Sequence, residues 1–248
     1  MITTADRNAE LELIARNIER SGFHSYTVTG GGVPHWAYTI GLSRSIGSEL
    51  VLAGAYFYAL QDLPQIIHGV VDKAKSDVDL DVLRIDLGSL GVFSLRPVET
   101  GWTKDLMSGA LNFFRVDGIP ALQIVPDERH WTIEIPDLST PRSAITAPSW
   151  QWLDKSWDYP IPPRAIGITN LDALRGGRIT EVMRWEEDEW ELFVGSGPDV
   201  AEEDRRVIPL GILLGADSSL SAIVNLTVGT GLWRNDVSNW HLWGSRHS

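Results

Sequence analysis

The histidine side chains are the residues most able to ligate a metal or to act as a general base near neutral pH. There are six of them: His24, His35, His68, His130, His241 and His247. None is followed four residues later by another histidine, the spacing that places two ligands on one face of a helix. The chain has no cysteine, which removes thiolate ligands and a thiol nucleophile. We therefore expect no metal and no cofactor.

Two short motifs approach signatures of catalysis or phosphate binding but depart from them. Gly41 to Ser45 begins like a nucleophile elbow, yet its final glycine is replaced by Ser45. Gly30 to Gly32 lie between two predicted strands, so no helix follows to hold an anion, and a hairpin turn is predicted. No catalytic residue is predicted, and the sequence favours a protein that is not an enzyme.

The charge balance restricts the partners of this chain. It has 21 basic and 33 acidic residues, a formal net charge of -12. Such a charge repels nucleic acid and anionic lipid surfaces, so neither is an expected partner. A basic protein would be attracted to it. The alternative that the charge serves solubility alone stays open, as does the oligomeric state.

One acidic loop combines this charge with an aromatic ring. Glu186, Glu187, Asp188 and Glu189 separate two predicted strands, and Trp190 and Glu191 follow directly. An aromatic anchor surrounded by charge is typical of an electrostatically steered interface. These six residues are the predicted partner-binding site. The alternative is a solvated hairpin loop beside a tryptophan of the core.

The elements that must position these residues indicate an α+β fold with mainly antiparallel sheets. A helix is predicted from Leu11, Ile14, Ala15 and Ile18, which recur at helical spacing. A second helix is predicted near 60–75. The predicted strands are 23–28, 36–40, 49–55, 80–86, 92–97, 121–125, 130–135, 165–169, 178–185, 190–195 and two short ones near 231–235 and 240–243. A strand and a capped helix are expected between 207 and 226.

A change in composition divides the chain into two mixed α/β domains. Six prolines and three tryptophans lie between Pro136 and Pro163. Proline blocks regular structure, and the tryptophans indicate a linker that is packed down. We predict a first domain at 1–136, a linker at 137–163 and a second domain at 164–248.

The location expected from the sequence is the cytoplasm. No stretch approaches the ~18 consecutive apolar residues of a membrane span, and residues 1–12 are polar rather than signal-like. The lack of cysteine agrees with a reducing compartment.

The N-terminal half resembles a bacterial family of unknown function, domain-of-unknown-function family 4262. The likeness lies in Gly22 and Phe23, in Pro34 to Leu42, which includes the segment AYTIGL, in Ser48 to Leu50, and in Ile119 to Asp127. The resemblance carries no activity with it. It draws attention to Tyr38, Thr39 and Glu49, which are polar residues on strands that are otherwise buried. Buried polar groups need partners, so these three either brace the core or line a pocket. The candidate pocket lies around His35, Tyr38, Thr39 and Glu49.

The C-terminal half is similar to immunity-protein family 33, whose domains occur beside bacterial polymorphic toxins. The matching residues are Glu181 to Arg184, Asp188, Trp190, Phe193, Gly195, Asp217 to Leu220, Gly229, Trp233 and Arg234. This resemblance implies a non-catalytic protein that neutralises a basic, toxin-like partner. The alternative function is an enzyme or small-ligand sensor with its pocket in the N-terminal domain.

Overall fold

Two six-stranded mixed sheets form the framework of the part of the chain that the structure describes. The computed structural model describes residues 4–76, 79–80, 83–235 and 239–243. The strands are β1 His24–Val28, β2 Trp36–Ile40, β3 Glu49–Ala53, β4 Arg84–Asp86, β5 Val92–Pro97, β6 Ala121–Pro126, β7 Ile166–Asn170, β8 Glu181–Arg184, β9 Glu189–Phe193, β10 Arg205–Pro209, β11 Thr230–Trp233 and β12 His241–Leu242. The α-helices are α1 Thr4–Ser21, α2 Ser43–Ile46, α3 Leu63–Ala74, α4 Thr100–Leu106, α5 Ser108–Phe114, α6 Leu171–Leu174 and α7 Leu210–Ala216.

The predicted fold class is confirmed: helices accompany two sheets that are mostly antiparallel. One predicted strand is wrong. The segment 130–135 forms turns, because its backbone N–H groups bond locally, as from His130 to Asp127, or reach Leu174 of the second half. Residues 81 and 82 of another predicted strand, and His247, lie outside the described residues. No helix among the described residues is both long and apolar enough to cross a bilayer.

The first sheet has the strand order β1-β2-β3-β6-β5-β4, with only β3 and β6 parallel. Every residue of β3 is buried because both faces of the sheet are covered. Leu50 and Leu52 pack with α3 on one face, whereas Val51 and Ala53 pack with α1, α4 and α5 on the other. Because its side chains alternate in direction, β3 contributes to the two cores on opposite faces of the first sheet.

The second sheet has the order β10-β7-β9-β8-β11-β12, with β7 and β9 parallel. Its inner face packs on α6, α7 and a 3-10 helix, Ser218–Asn225. Trp190 and Leu192 of β9 point into this core. The outer face carries the alternate residues of the same strands, among them Met183 and Glu191, which are half-buried.

The segment rich in proline and tryptophan packs on both sheets. Trp150 lies in the core of the first sheet beneath α1, α4 and α5, where its indole N–H donates to the carbonyl oxygen of Glu134 at 2.7 Å. Trp152 and Trp157 pack against the core of the second sheet, the second core, and the Trp152 N–H donates to the carbonyl oxygen of Gly211 at 2.9 Å. A buried tryptophan contributes a large apolar area while its N–H finds an acceptor, so these rings fix the linker in place.

The two halves also touch directly. The guanidinium of Arg206 donates to the carbonyl oxygens of Tyr56 and Phe57, and the Tyr56 ring belongs to the second core. Gly211 lies against the glycine turn: a Cβ at this position would overlap the carbonyl oxygen of Gly32. The absence of a side chain at Gly211 is therefore a condition for this contact.

Gly211→Ala tests that contact. We expect it to lower the free energy of unfolding by about 1 to 3 kcal/mol, the usual cost of overpacking, because the overlapping atom belongs to the backbone. Urea denaturation of both proteins measures the change. Gly118→Ala is the matched control, since its Cβ would have its nearest neighbour at 3.7 Å. Equal stability of the two variants would contradict the contact.

Candidate functional site

The predicted pocket residues Thr39 and Glu49 meet in a buried hydrogen-bond network. Both are fully buried, and the Thr39 hydroxyl donates to the Glu49 carboxylate at 2.7 Å. That carboxylate also accepts the backbone N–H groups of Gly41, Leu42 and Ser43 and the Ser43 hydroxyl, at 2.8 to 3.1 Å. Glu49 therefore holds the start of α2 against β3. It braces the core, as one of the two predicted roles requires.

Tyr38 points to the opposite side of the sheet from Thr39, its neighbour on β2. Its ring is buried in the core beneath α1, α4 and α5, and burial raises the pKa of its hydroxyl to about 12. Ser43, the serine of the elbow-like motif, is held by Glu49. Tyr38 and Ser43 thus take part in packing and bracing.

His35 has a different environment from the other three predicted pocket residues. It is 5% exposed, its ring lies 4.0 Å from that of Tyr56, and its Nε2 atom has no hydrogen-bond partner. Burial lowers its pKa to about 4, against a smaller opposing effect from the backbone of Gly54. The ring is therefore neutral at pH 7. His35 lines a cleft, and Tyr38, Thr39 and Glu49 do not.

That cleft has a volume of about 450 Å³ and lies between the two halves. The first half contributes Gly30 and Gly31 of the glycine turn, His35, Tyr56 and the segment from Tyr58 to Leu60. The second half contributes Arg164, Ile166 and the strand β10. Sequence reasoning placed a pocket inside the N-terminal domain, and it missed that Arg206 forms the opposite wall.

Glu134 is a second buried group that sequence reasoning missed. Its Oε1 atom accepts the Tyr56 N–H at 2.9 Å and the Thr132 hydroxyl at 2.6 Å, while Oε2 has no partner. Burial raises the pKa of this carboxyl above its ordinary value. The neighbouring Ala55 has a φ of 72°, a left-handed conformation that is uncommon for a residue other than glycine. Glu134 and this turn together aim the Tyr56 ring at His35.

The structure corrects one part of the predicted partner-binding site. Trp190 is 0% exposed, so it is a residue of the core and not an anchor at the surface. The guanidinium of Arg184 lies 4.5 Å from the centre of its ring. The alternation of Glu189 and Glu191 with Trp190 and Leu192 is the signal that predicts one apolar face.

The carboxylates of the predicted site divide into two groups. Glu186 and Glu187 are exposed at the tip of the hairpin, where their carbonyl oxygens accept hydrogen bonds from Arg184. Asp188 pairs with Arg164 at 3.2 Å. Glu189 and Glu191 lie within β9 rather than in the loop. Their partner-binding role stays a prediction.

A groove of about 390 Å³ lies on the outer face of β8 and β9. Trp185 lines it and is 47% exposed, and its indole N–H donates to the Glu191 carboxylate at 2.8 Å. Glu181 and Trp243, which is 53% exposed, also line it. Trp185 is thus the exposed ring beside the acidic loop, five residues before the one that was predicted.

No cluster of three or more histidine, aspartate or glutamate side chains that could hold a metal ion occurs among residues 4–76, 79–80, 83–235 and 239–243.

Comparison with known proteins identifies one region of the chain. The family model described as "Domain of unknown function (DUF4262)" matches residues 17–131. This range contains every strand of the first sheet together with His35 and Tyr56, and it confirms the N-terminal resemblance. No curated protein and no solved structure matches the chain. The resemblance of the second half to immunity proteins stays a prediction.

Glu49→Ala tests the bracing network. We expect the free energy of unfolding to fall by about 3 to 5 kcal/mol, because five donor groups, three of them buried, lose their acceptor. Chemical denaturation measures the change, and Glu12→Ala on the exposed face of α1 is the control. A loss as small as that of the control would show that Glu49 does not brace the core.

The buried neutral His35 predicts a pH dependence. Unfolded, it binds a proton near its ordinary pKa of 6.5, whereas folded it does so only near 4. Its contribution to stability is therefore complete above pH 6.5 and is lost as the pH falls towards 4.

Between pH 7 and pH 4 the wild type should lose up to about 3 kcal/mol more stability than His35→Phe. Glu134 and Tyr56 are present in both proteins, so their own titration cancels in the difference. Urea denaturation over this pH range supplies the two curves, and parallel curves would contradict the prediction.

Proposed function

We propose that the protein is a non-catalytic binding protein of the immunity type, which neutralises a basic, toxin-like protein with the outer face of its second sheet. The observation that carries this proposal is Trp185. Its half-exposed ring lines a groove that Glu181 and Glu191 also line, and its indole N–H donates to the Glu191 carboxylate. A lysine or arginine of a partner would meet a ring face and a carboxylate together there.

The surroundings of this groove support the proposal. Trp233 and Trp243, on the neighbouring strand and just beyond β12, are 43% and 53% exposed. Half-exposed aromatic side chains grouped on one face are typical of interaction surfaces. Glu186 and Glu187 extend the negative charge beyond the groove, and the net charge of -12 attracts a basic protein from a distance.

The second candidate function is that of a small-ligand sensor or an enzyme with its pocket in the first half. One observation favours it: His35 lines a cleft and has a nitrogen without a partner. The cleft shows no nucleophile activated by a neighbouring base among the described residues that line it, so ligand binding is the simpler version of this alternative.

Co-purification with the products of neighbouring genes tests the leading proposal. We expect a basic protein to be retained at low salt and released at high salt, because screening weakens its attraction. Trp185→Ala should weaken the affinity by at least about tenfold, as expected for a central aromatic anchor. Trp131→Ala, which removes a ring that is 40% exposed in the first half, is the matched control.

Two results would count against this function. One is that no basic partner is retained, and the other is that Trp185→Ala and Trp131→Ala bind a retained partner equally well. Glu191→Gln separates charge from shape: it should reduce the salt dependence of binding, because it removes one carboxylate from the groove while keeping the size of the side chain.

A further inference from the structure

The cleft between the two halves differs in charge from the rest of the molecule. The whole chain has 33 acidic and 21 basic residues. Three arginines but no aspartate or glutamate are among the described residues that line this cleft. A local excess of positive charge in a protein of net charge -12 calls for an explanation other than solubility.

Arg206 is the cation best placed to serve a ligand. Its hydrogen bonds go to the carbonyl oxygens of Tyr56, Phe57, Glu203 and Arg205, which carry no net charge. Asp204 and Asp62 act on it only through longer-range attraction. These bonds use Nε, Nη1 and one hydrogen of Nη2, so neutral groups hold Arg206 in position, and its charge and one N–H group of Nη2 remain for an anion. Guanidinium groups suit phosphate and carboxylate oxygens.

The other two arginines contribute less. Arg164 is largely exposed and pairs with Asp188 at 3.2 Å. Arg205 turns its guanidinium towards the ring of Phe193, on the groove side. The anionic group of a ligand would therefore lie nearest to Arg206.

His35 provides a second, independent feature of the same cleft. Its Nε2 atom is buried without a hydrogen-bond partner, a state that costs free energy unless a ligand or solvent group meets it. A neutral ring nitrogen of this kind accepts a hydrogen bond from a hydroxyl group. Beside it, the Tyr56 hydroxyl accepts the backbone N–H of His35 at 3.2 Å and has its own proton to donate.

We infer that this cleft binds a small hydroxylated organic anion, with its phosphate or carboxylate group on Arg206 and a hydroxyl group on His35 and Tyr56. The volume of about 450 Å³ is within the usual range for small-ligand sites. Arg206, His35 and Tyr56 do not line the groove at Trp185, although Arg205 lines both, so a variant at Arg206 or His35 tests this inference apart from the proposed function.

NMR titration of the full chain at pH 7 tests the inference with three probes: glycerol 3-phosphate, glycerate and glycerol. The ring signals of His35 are assigned by comparison with His35→Gln. Because the ring is neutral at this pH, a shift of its signals reports contact rather than protonation. We expect one or both anions, but not glycerol, to shift them saturably. The tighter of the two anions identifies the charged group.

Val207 offers a pair of variants that leaves the packing unchanged. It lines the cleft and is 61% exposed, so both substitutions should fold. Val207→Glu should bind the better anion roughly fivefold to tenfold more weakly than Val207→Gln, because only the first adds a negative charge. Arg206→Gln should weaken binding at least about tenfold, whereas Arg16→Gln, with the same charge change on α1, should not.

Three outcomes would overturn the inference. The first is that neither anion shifts the His35 signals. The second is that glycerol shifts them as strongly as the anions do. The third is equal binding by the Val207→Glu and Val207→Gln proteins, which does not depend on whether Arg206→Gln folds.

Discussion

The buried carboxyl group of Glu134 is the point on which the arrangement of the two halves depends. It accepts hydrogen bonds from the segment that leaves β3 and from Thr132, while its own carbonyl oxygen accepts the indole N–H of Trp150. It thereby joins the first sheet to the linker. Burying such a group is costly unless donors surround it, so the turn at Ala55 bends to supply them.

The cleft between the two halves lies directly beside this turn. Tyr56 follows the turn, and its ring packs in the second core and against the ring of His35. Its carbonyl oxygen accepts a hydrogen bond from the guanidinium of Arg206. Neither half contains the cleft by itself, because His35 and Tyr56 come from one and Arg206 from the other. The family match at residues 17–131 includes the first wall but not the second.

Two regions of the second sheet differ in the charge of their side chains. Its outer face presents exposed tryptophans beside carboxylates, whereas the edge at β10 turns positive charge towards the first half. Successive side chains of a strand point in opposite directions, so neighbouring residues of β10 reach both regions. Arg205 lies over Phe193 on the outer face, and the next residue, Arg206, contacts the carbonyl oxygens of Tyr56 and Phe57. The two adjacent arginines of β10 thus contact different parts of the structure.

By itself, the sequence determined most of the secondary structure. The apolar spacing of Ile14 and Ile18 predicted α1, and the segment 49–55 was predicted as a strand, which the structure has as β3. These signals are local, because periodicity within one element reports which of its faces are buried. The strand predicted at 130–135 failed because its hydrogen bonds go to turns and to the second half, which local pattern does not contain.

Only the tertiary structure decided where the candidate site residues lie. It placed Trp190 in the core and Trp185 at the surface, separated His35 from Thr39 and Glu49, and brought Arg206 to within hydrogen-bond distance of residues about 150 positions earlier. Charge and residue type were visible in the sequence, but the direction of each side chain depends on strand register and on packing between distant segments. For that reason composition and charge gave only the prediction of a binding protein, and the fold supplied the two surfaces on which the proposals rest.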